Sequence, residues 1–279
     1  MVSSVLTLES SVRFPTRGFA KILSDDAAIV RLTNYRNFIL LESNSTLFHQ
    51  GYSMKYSLRH MPRRGEETVR NGIMFGPNLG SGVLRMHLNS GNPNFDMSSF
   101  LFVNGSDPKF WMKESNDSSV RPISLLDSLK PLVEGMNQTA FDLLMPFVFW
   151  DGEYEGSGKV AGRPAHVFSF NCPSWIKEQY PSWQKVTLAL DDAYEAPLRI
   201  EFLGKTQIPE RSLILRSFKK LDDRWIVKEI DCRDRKTRSV TRMKITSAAL
   251  GLDMEKSFFL PEALSESIRI EPKLYLSTE

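Results

Sequence analysis

Apolar and polar residues alternate with a period of two through much of this chain. Tyr52, Met54, Tyr56 and Leu58 fall on one side and Ser53, Lys55, Ser57 and Arg59 on the other, the pattern of a strand with one dry and one wet face. The last third repeats it in short segments at about 186–190, 198–203, 213–221, 224–232 and 239–246, with no room for a useful helix between them. Further strands are predicted near 48–60, 69–75, 83–89, 99–103, 109–114, 154–160 and 165–170, and a last extended piece at 258–261. Asn104-Gly105 and Asp222-Asp223 supply turn chemistry, and Pro197 opens a strand, where a missing donor is tolerated.

Three segments break this period. Ser24 or Asp25 caps an amphipathic helix running through Ala27-Ala28-Ile29-Val30-Arg31-Leu32, with apolar positions continuing at Tyr35, Phe38, Ile39 and Leu41, and predicted to end near Ser43 to Ser45. At Pro122 the chain changes character. Residues 123–132 read as a short helix halted by Pro131; residues 137–150 read as a second, capped by Asn137 or Thr139 and ended or kinked at Pro146. From Leu143 to Trp150 this second helix is apolar nearly all round, so it is either enclosed or holding something.

The fold class that follows is α+β, mainly antiparallel β. About ten strands curl by their own twist into an unclosed half-barrel, with the N-terminal helix and a short helical lid at 122–150 covering the concave face. One domain spans 1–279, with 1–19 loosely ordered and 265–279 a tail. Helices that fill the concavity make a structural block; helices that cover it as a lid leave an apolar ligand site.

Composition narrows the partners. A net charge of +3 and a pI near 8.8 fall far short of the basic field of a nucleic-acid binder. No run approaches the roughly 18 apolar residues of a membrane span. The first residues lack the basic and apolar regions of a secretory signal, which leaves a cytoplasmic chain or one from which a signal has been removed. Cys172 and Cys232 have no metal-ligand spacing; two free thiols on strands are favoured over a single bridge. His49, His60, His87 and His166 lie on different predicted strands, and Gly156-Ser157-Gly158 lacks the strand-to-helix setting of a nucleophile elbow. A hydrolase needs a nucleophile, base and orienting group together, so no catalytic residue, metal or cofactor is expected. Arg233, Arg235, Lys236, Arg238, Arg242 and Lys244 concentrate positive charge, either as a blunted strand edge or as a docking surface for an acidic partner or anionic headgroups.

The order of elements, with Thr139-Ala140-Phe141-Asp142-Leu143, Gly158-Lys159-Val160-Ala161-Gly162-Arg163-Pro164-Ala165, Lys185-Val186-Thr187-Leu188-Ala189-Leu190-Asp191 and Pro197-Leu198-Arg199-Ile200-Glu201, resembles the bacterial outer-membrane lipoprotein-sorting proteins, a Lol-type fold. The similarity continues through Trp225-Ile226-Val227-Lys228, Thr237 to Met243 and Phe258-Phe259-Leu260-Pro261, covering roughly residues 20–264. It implies a periplasmic, monomeric, non-enzymatic carrier whose lid covers a cavity for lipoprotein acyl chains or lipid, and which meets inner- or outer-membrane sorting proteins. A regulatory lipid or lipoprotein sensor, or an interaction scaffold of the same fold, is the alternative. The chain departs from the simplest carriers in its Pro62-Arg63-Arg64-Gly65-Glu66-Glu67 hairpin, in the prolines interrupting the lid, and in lacking an N-terminal lipidation cysteine.

Candidate lipid-binding residues are Leu125, Leu129, Leu132, Phe141, Leu144, Met145, Phe147 and Phe149 in the lid, and Tyr52, Met54, Tyr56, Leu58, Phe100 and Phe102 in the sheet. Plain core is the competing reading for each, because an apolar stripe at helical spacing serves either purpose.

Overall fold

A computed structural model describes residues 20–40, 46–89, 97–114 and 119–279. The expected loose stretch at 1–19 and the Ser43 to Ser45 helix end lie outside the described residues.

Helix α1 (Asp25–Ile39) starts where Ser24 accepts a hydrogen bond from the Ala27 amide, with Asp25 and Asp26 in the first turn, where the helix dipole favours them. It buries Ala28, Leu32, Tyr35 and Ile39 and stops at Leu40, short of the expected end. Six strands then run outward as a meander: β1 (Leu47–Met61), β2 (Thr68–Gly76), β3 (Val83–Leu88), β4 (Ser98–Val103), β5 (Lys109–Lys113) and β6 (Arg121–Ile123). After a crossover at 124–151, which contains α2 (Ala140–Leu144), seven strands return inward: β7 (Gly152–Val160), β8 (Arg163–Asn171), β9 (Trp183–Asp191), β10 (Pro197–Gly204), β11 (Pro209–Leu221), β12 (Arg224–Asp234) and β13 (Ser239–Glu255). Between β8 and β9 a short helix, α3 (Ser174–Gln179), follows Pro173. A final two-residue strand, β14 (Leu276–Ser277), pairs with β13.

The two meanders meet at the centre, where β1 and β13, the longest strands, pair antiparallel with Tyr56 opposite Ile245 and Leu58 opposite Met243. The result is one antiparallel, unclosed sheet of 14 strands in place of the expected ten, thirteen of them ordered β6-β5-β4-β3-β2-β1-β13-β12-β11-β10-β9-β8-β7 and β14 paired to β13 off this path. Its edges are β6 and β7, the strands that flank the crossover in sequence. The crossover therefore has to bridge the full width of one face, and this connectivity places it there.

Four sequence expectations need correction. The helix expected at 123–132 is only a 3-10 turn at Asp127–Leu129, because Ile123 pairs with Phe110 in the sheet and Pro131 withdraws a donor. The helix expected at 137–150 is split into α2 and a 3-10 turn at Pro146–Phe149 by Met145, which adopts φ 54° just before Pro146. The extended piece at 258–261 is instead two 3-10 turns, Lys256–Phe259 and Pro261–Ser265, the second opened by the proline. Strand β13 runs on to Glu255, past the weak strand formers Ala248, Ala249 and Gly251, because pairing with β1 overrides local preference.

Both faces of the sheet are covered. The outer face beside β1–β4 holds Phe48, Phe75, Leu101 and Met254 against Phe259 and Leu264 of the C-terminal turns. Fully buried Arg85 fastens this cover by donating to the carbonyls of Phe258 and Glu266. Next to it, burial and the Arg85 charge depress the His87 imidazole to about 4. The terminal residues are also tied down: Ser53 and Tyr275 share a hydrogen bond of 2.7 Å, and Thr278 donates to the Ile245 carbonyl at 2.6 Å.

Candidate functional site

The inner face, covered by α1 and the crossover, is largely apolar and divides, along a polar seam at Arg211, Ser239 and Thr241, into two halves of different chemistry. Every lid and sheet candidate named from sequence lies on it. Leu129, Phe141, Met145, Phe147 and Phe149 pack in the half formed by β8–β12 and α1. Leu125, Leu132 and Leu144 pack in the half formed by β1–β5, with all six sheet candidates, Tyr52, Met54, Tyr56, Leu58, Phe100 and Phe102.

The first half is a plug of interlocked rings. Phe147, fully buried, sits with its ring centroid 5.6 Å from Phe170 and 6.3 Å from Phe202, and Phe141 lies 6.2 Å from Phe147 and 6.3 Å from Phe202. Trp183 approaches Phe202 at 4.6 Å. Helix α1 closes this side: Leu32, Tyr35 and Ile39 join the same cluster, and Arg36 donates to the carbonyls of Val148 at 2.6 Å and Trp150 at 2.8 Å. The middle of α1 is fixed by Arg31, which donates to the carbonyls of Asp191 and Asp192.

The second half is rich in methionine. Met54, Met74, Met86, Met136 and Met243 are all buried in it, with Leu84, Leu88 and Phe110 beside the residues already named. Its floor is flat for a local reason. Tyr56 is paired across the ladder with Gly72 and Tyr52 with Gly76; a Cβ added at these glycines would come within 2.3 and 2.4 Å of the rings. Each ring lies down over the neighbouring strand, and the Tyr56 hydroxyl donates to the His87 carbonyl at 3.1 Å. Burial raises both phenols well above the ordinary range, so they stay neutral. Above this floor Leu125, Leu132, Val133 and Leu143 of the crossover are only half-buried. A methionine surface repacks around shapes that aromatic rings would reject.

Polar contacts fix the crossover's register between the halves. Thr139 caps α2 by accepting from the Asp142 amide at 3.1 Å, and the Asp142 carboxylate accepts from the Thr139 amide at 2.9 Å, a reciprocal capping box. The same carboxylate is paired with Arg211, which also donates to the Asn137 carbonyl. Burial opposes the Arg211 charge, but Asp142 beside it keeps the guanidinium protonated. The Asn137 side chain donates to the carbonyls of Cys232 and Ser239, both at 3.2 Å, and its amide donates to Thr241 Oγ1 at 2.8 Å. Asn104 donates to the Leu144 carbonyl. One residue in this segment is left out: the Gln138 side chain is 1% exposed, and neither end of its amide has a hydrogen-bond partner among the described residues.

Sequence reasoning missed Met74, Met86 and Met243, although alternation along β2, β3 and β13 carried their signal. It missed Asp142 as a reciprocal cap, although Thr139 followed three residues later by an acid is the signature. Arg211 carried no signal, since nothing local to β11 points to the crossover. Cys172 and Cys232 are both buried and free, and burial raises the Cys172 thiol to about 11.

The basic residues named from sequence do not act as one surface. Arg233 and Arg242 pair with buried Asp231, and Lys244 with Glu279, while Arg235, Lys236 and Arg238 stand at the turn between β12 and β13 with no ion pair among the described residues. A cavity of about 280 Å³ opens beside this turn, lined by Arg211, Arg233, Arg235 and Arg238 with Glu210 and Asp234. A second, of about 540 Å³, adjoins it at Ser239 and reaches Met136 under the crossover. Of the histidines, His166 bonds both Tyr154 (2.9 Å) and Asp192 (2.8 Å). That chain accepts the Leu23 amide at Tyr154 and meets Arg31 at Asp192, so it fastens the start of α1 to β7 and β8.

A family model whose description reads "-like: Uncharacterized protein" matches residues 150–266, less than half of the chain. No curated protein matches the sequence. Solved structures match the fold. A DUF1329 family protein from Desulfovibrio piger is 15% identical over 86% of this chain and 99% of its own, with a TM-score of 0.65. A putative outer membrane lipoprotein-sorting protein domain from Vibrio parahaemolyticus is 14% identical over 84% of this chain and 97% of its own, also at 0.65. A LolA superfamily protein from Nitrosomonas europaea is 11% identical over 82% and 96%, at 0.57. At these identities the likeness establishes the fold: the Lol-type architecture expected from the sequence is the one these neighbours have.

Proposed function

We propose that this protein is a non-enzymatic carrier that shields lipid or lipoprotein acyl chains between the methionine half of its inner face and the 124–151 crossover, acting in the bacterial envelope. The observation that carries this reading is the contrast within one face: in one half Phe141, Phe147, Phe170 and Phe202 interlock beneath α1, with only Met145, Phe149 and Trp150 of the crossover half-buried at its margin, and in the other five buried methionines lie beneath the half-buried Leu125, Leu132, Val133 and Leu143. The fold neighbours, one of them titled as a lipoprotein-sorting domain, support it.

The energetics fit. Shielding an acyl chain is worth about 0.8 kcal/mol per methylene, so a chain of ordinary length gains roughly 10 kcal/mol on leaving water. A carrier has to supply most of that and still release its cargo. With its far end anchored in the aromatic half, the crossover lifts over the methionine half when the polar contacts between the halves open, and methionine side chains then reshape around the chain. Leu125, Leu132 and Leu144 face the cargo on the crossover side; Tyr52, Met54, Tyr56, Leu58, Phe100 and Phe102 line the sheet side. Leu129, Phe141, Met145, Phe147 and Phe149 hold the crossover's far end in place.

The test is native mass spectrometry of the full chain mixed with a diacylated lipopeptide and, separately, a long-chain fatty acid. The parent is expected to carry either ligand, and Leu132→Asp, at a half-buried position, is expected to lose at least tenfold in occupancy with its thermal unfolding little changed. A parent that takes up neither ligand, at concentrations where a known acyl carrier saturates, would assign the methionine half to plain core and leave an interaction scaffold as the function.

A further inference from the structure

We infer that the 540 Å³ cavity between the β1–β2 turn, the crossover and the β12–β13 turn seats the phosphate of an anionic glycerophospholipid whose acyl chains enter the methionine half. This rests on the acyl-binding reading above and specifies its ligand. The cavity is lined by His60, Arg63, Arg64, Met136, Asn137 and Ser239 among others, and none of its described lining residues is acidic. Its volume is that of a small-molecule site.

Two of its guanidiniums are free to act. Arg63 and Arg64 form no ion pair among the described residues; of the two acids in their turn, Glu67 is taken by Arg59, and Glu66 pairs with neither arginine and does not line the cavity. The polar groups on the opposite wall are already committed: Asn137 bonds the carbonyls of Cys232 and Ser239, and His60 Nδ1 and Thr241 Oγ1 lie 2.9 Å apart. The Arg63 and Arg64 charges thus have no ion-pair partner among the described residues lining the cavity. Across Ser239, in the adjoining cavity, Arg235 and Arg238 are likewise unpaired, while Glu210 accepts from Ser182 and Asp234 from Thr237. Planar guanidiniums match phosphate oxygens two at a time, which makes this rim selective for phosphate over a neutral headgroup.

The same cavity reaches apolar ground. Met136 lines it and is at once a buried member of the methionine cluster. A ligand that satisfies both ends has to be amphiphilic, with an anionic head next to aliphatic chains; a free anion would satisfy only the rim.

The protein of residues 1–279 is incubated with phosphatidylcholine vesicles doped equally with phosphatidylglycerol or with diacylglycerol of the same acyl composition, reisolated, and its bound lipid quantified. The expected result is a preference for phosphatidylglycerol over diacylglycerol of about tenfold or more, the scale of one or two charge-assisted hydrogen bonds. Arg63→Ser with Arg64→Ser, both exposed in a turn, is expected to abolish the preference while leaving diacylglycerol uptake unchanged. Equal uptake of the two lipids by the parent, or a preference that survives the double substitution, overturns the headgroup assignment and leaves acyl binding standing. Uptake of neither lipid, with inorganic phosphate alone still binding in an Arg63- and Arg64-dependent manner, overturns both: the rim would then be a site for a free anion.

Discussion

The two halves of the inner face are built from the same sheet and covered by the same crossover, yet they solve different problems. The half at β8–β12 buries Phe147, Phe141, Phe168, Phe170 and Phe202 with almost no exposure and seals them with α1. Rigid rings in mutual contact leave little freedom, and removing one leaves a hole its neighbours cannot fill. The half at β1–β5 buries methionines and two tyrosines that lie flat over glycines, under crossover residues that stay half-exposed. Packing strength here is unevenly spent: one half anchors the crossover and the other is left deformable.

The largest expected effect comes from attacking the anchored half. Phe147→Ala should lower unfolding free energy by about 3–5 kcal/mol, whereas Leu132→Ala in the deformable half should cost about 1 kcal/mol or less. Equal costs in denaturant titrations would erase the contrast between the halves. Next is the polar tie between them. Arg211→Met leaves the Asp142 carboxylate buried without a counter-charge and should cost about 3 kcal/mol or more, and adding Asp142→Asn should restore part of that loss. In the single variant, hydrogen exchange should rise first at Thr139 to Leu144, and an unchanged exchange pattern there would refute the tie. The smallest effect has the opposite sign: Gln138→Met removes an unpartnered buried amide and should stabilise by about 1 kcal/mol. Destabilisation would mean that the amide has a partner in solution, and slower uptake of an acyl probe would tie that amide to opening of the crossover.

Much of this was legible in the chain. Alternation places Tyr52, Met54, Tyr56 and Leu58 on one face, and a local capping signal at Ser24 places α1. Strand identity is a matter of period, and period is written in a few consecutive residues. The helices expected at 123–132 and 137–150 failed for a related reason. Apolar density was read as helix there, while prolines at 131 and 146 and sheet pairing at Ile123 cut the segment into single turns. The candidate site was legible as a set of greasy residues but not as two halves, because the division depends on which strands lie beneath each part of the crossover.

Sequence alone determined the antiparallel strands, the capped first helix and an apolar mid-chain insertion with one dry sheet face to cover. Tertiary structure decided that the insertion spans the two edges of the sheet, that Arg211 reaches Asp142 from 69 residues away, and that the cavity bearing Arg63 and Arg64 meets the one bearing Arg235 and Arg238 at Ser239. Periodicity and capping act over a few residues and leave a local imprint, whereas edge-to-edge crossover, buried ion pairs and shared cavities arise only when strands distant in the chain close on one another, which no local pattern records.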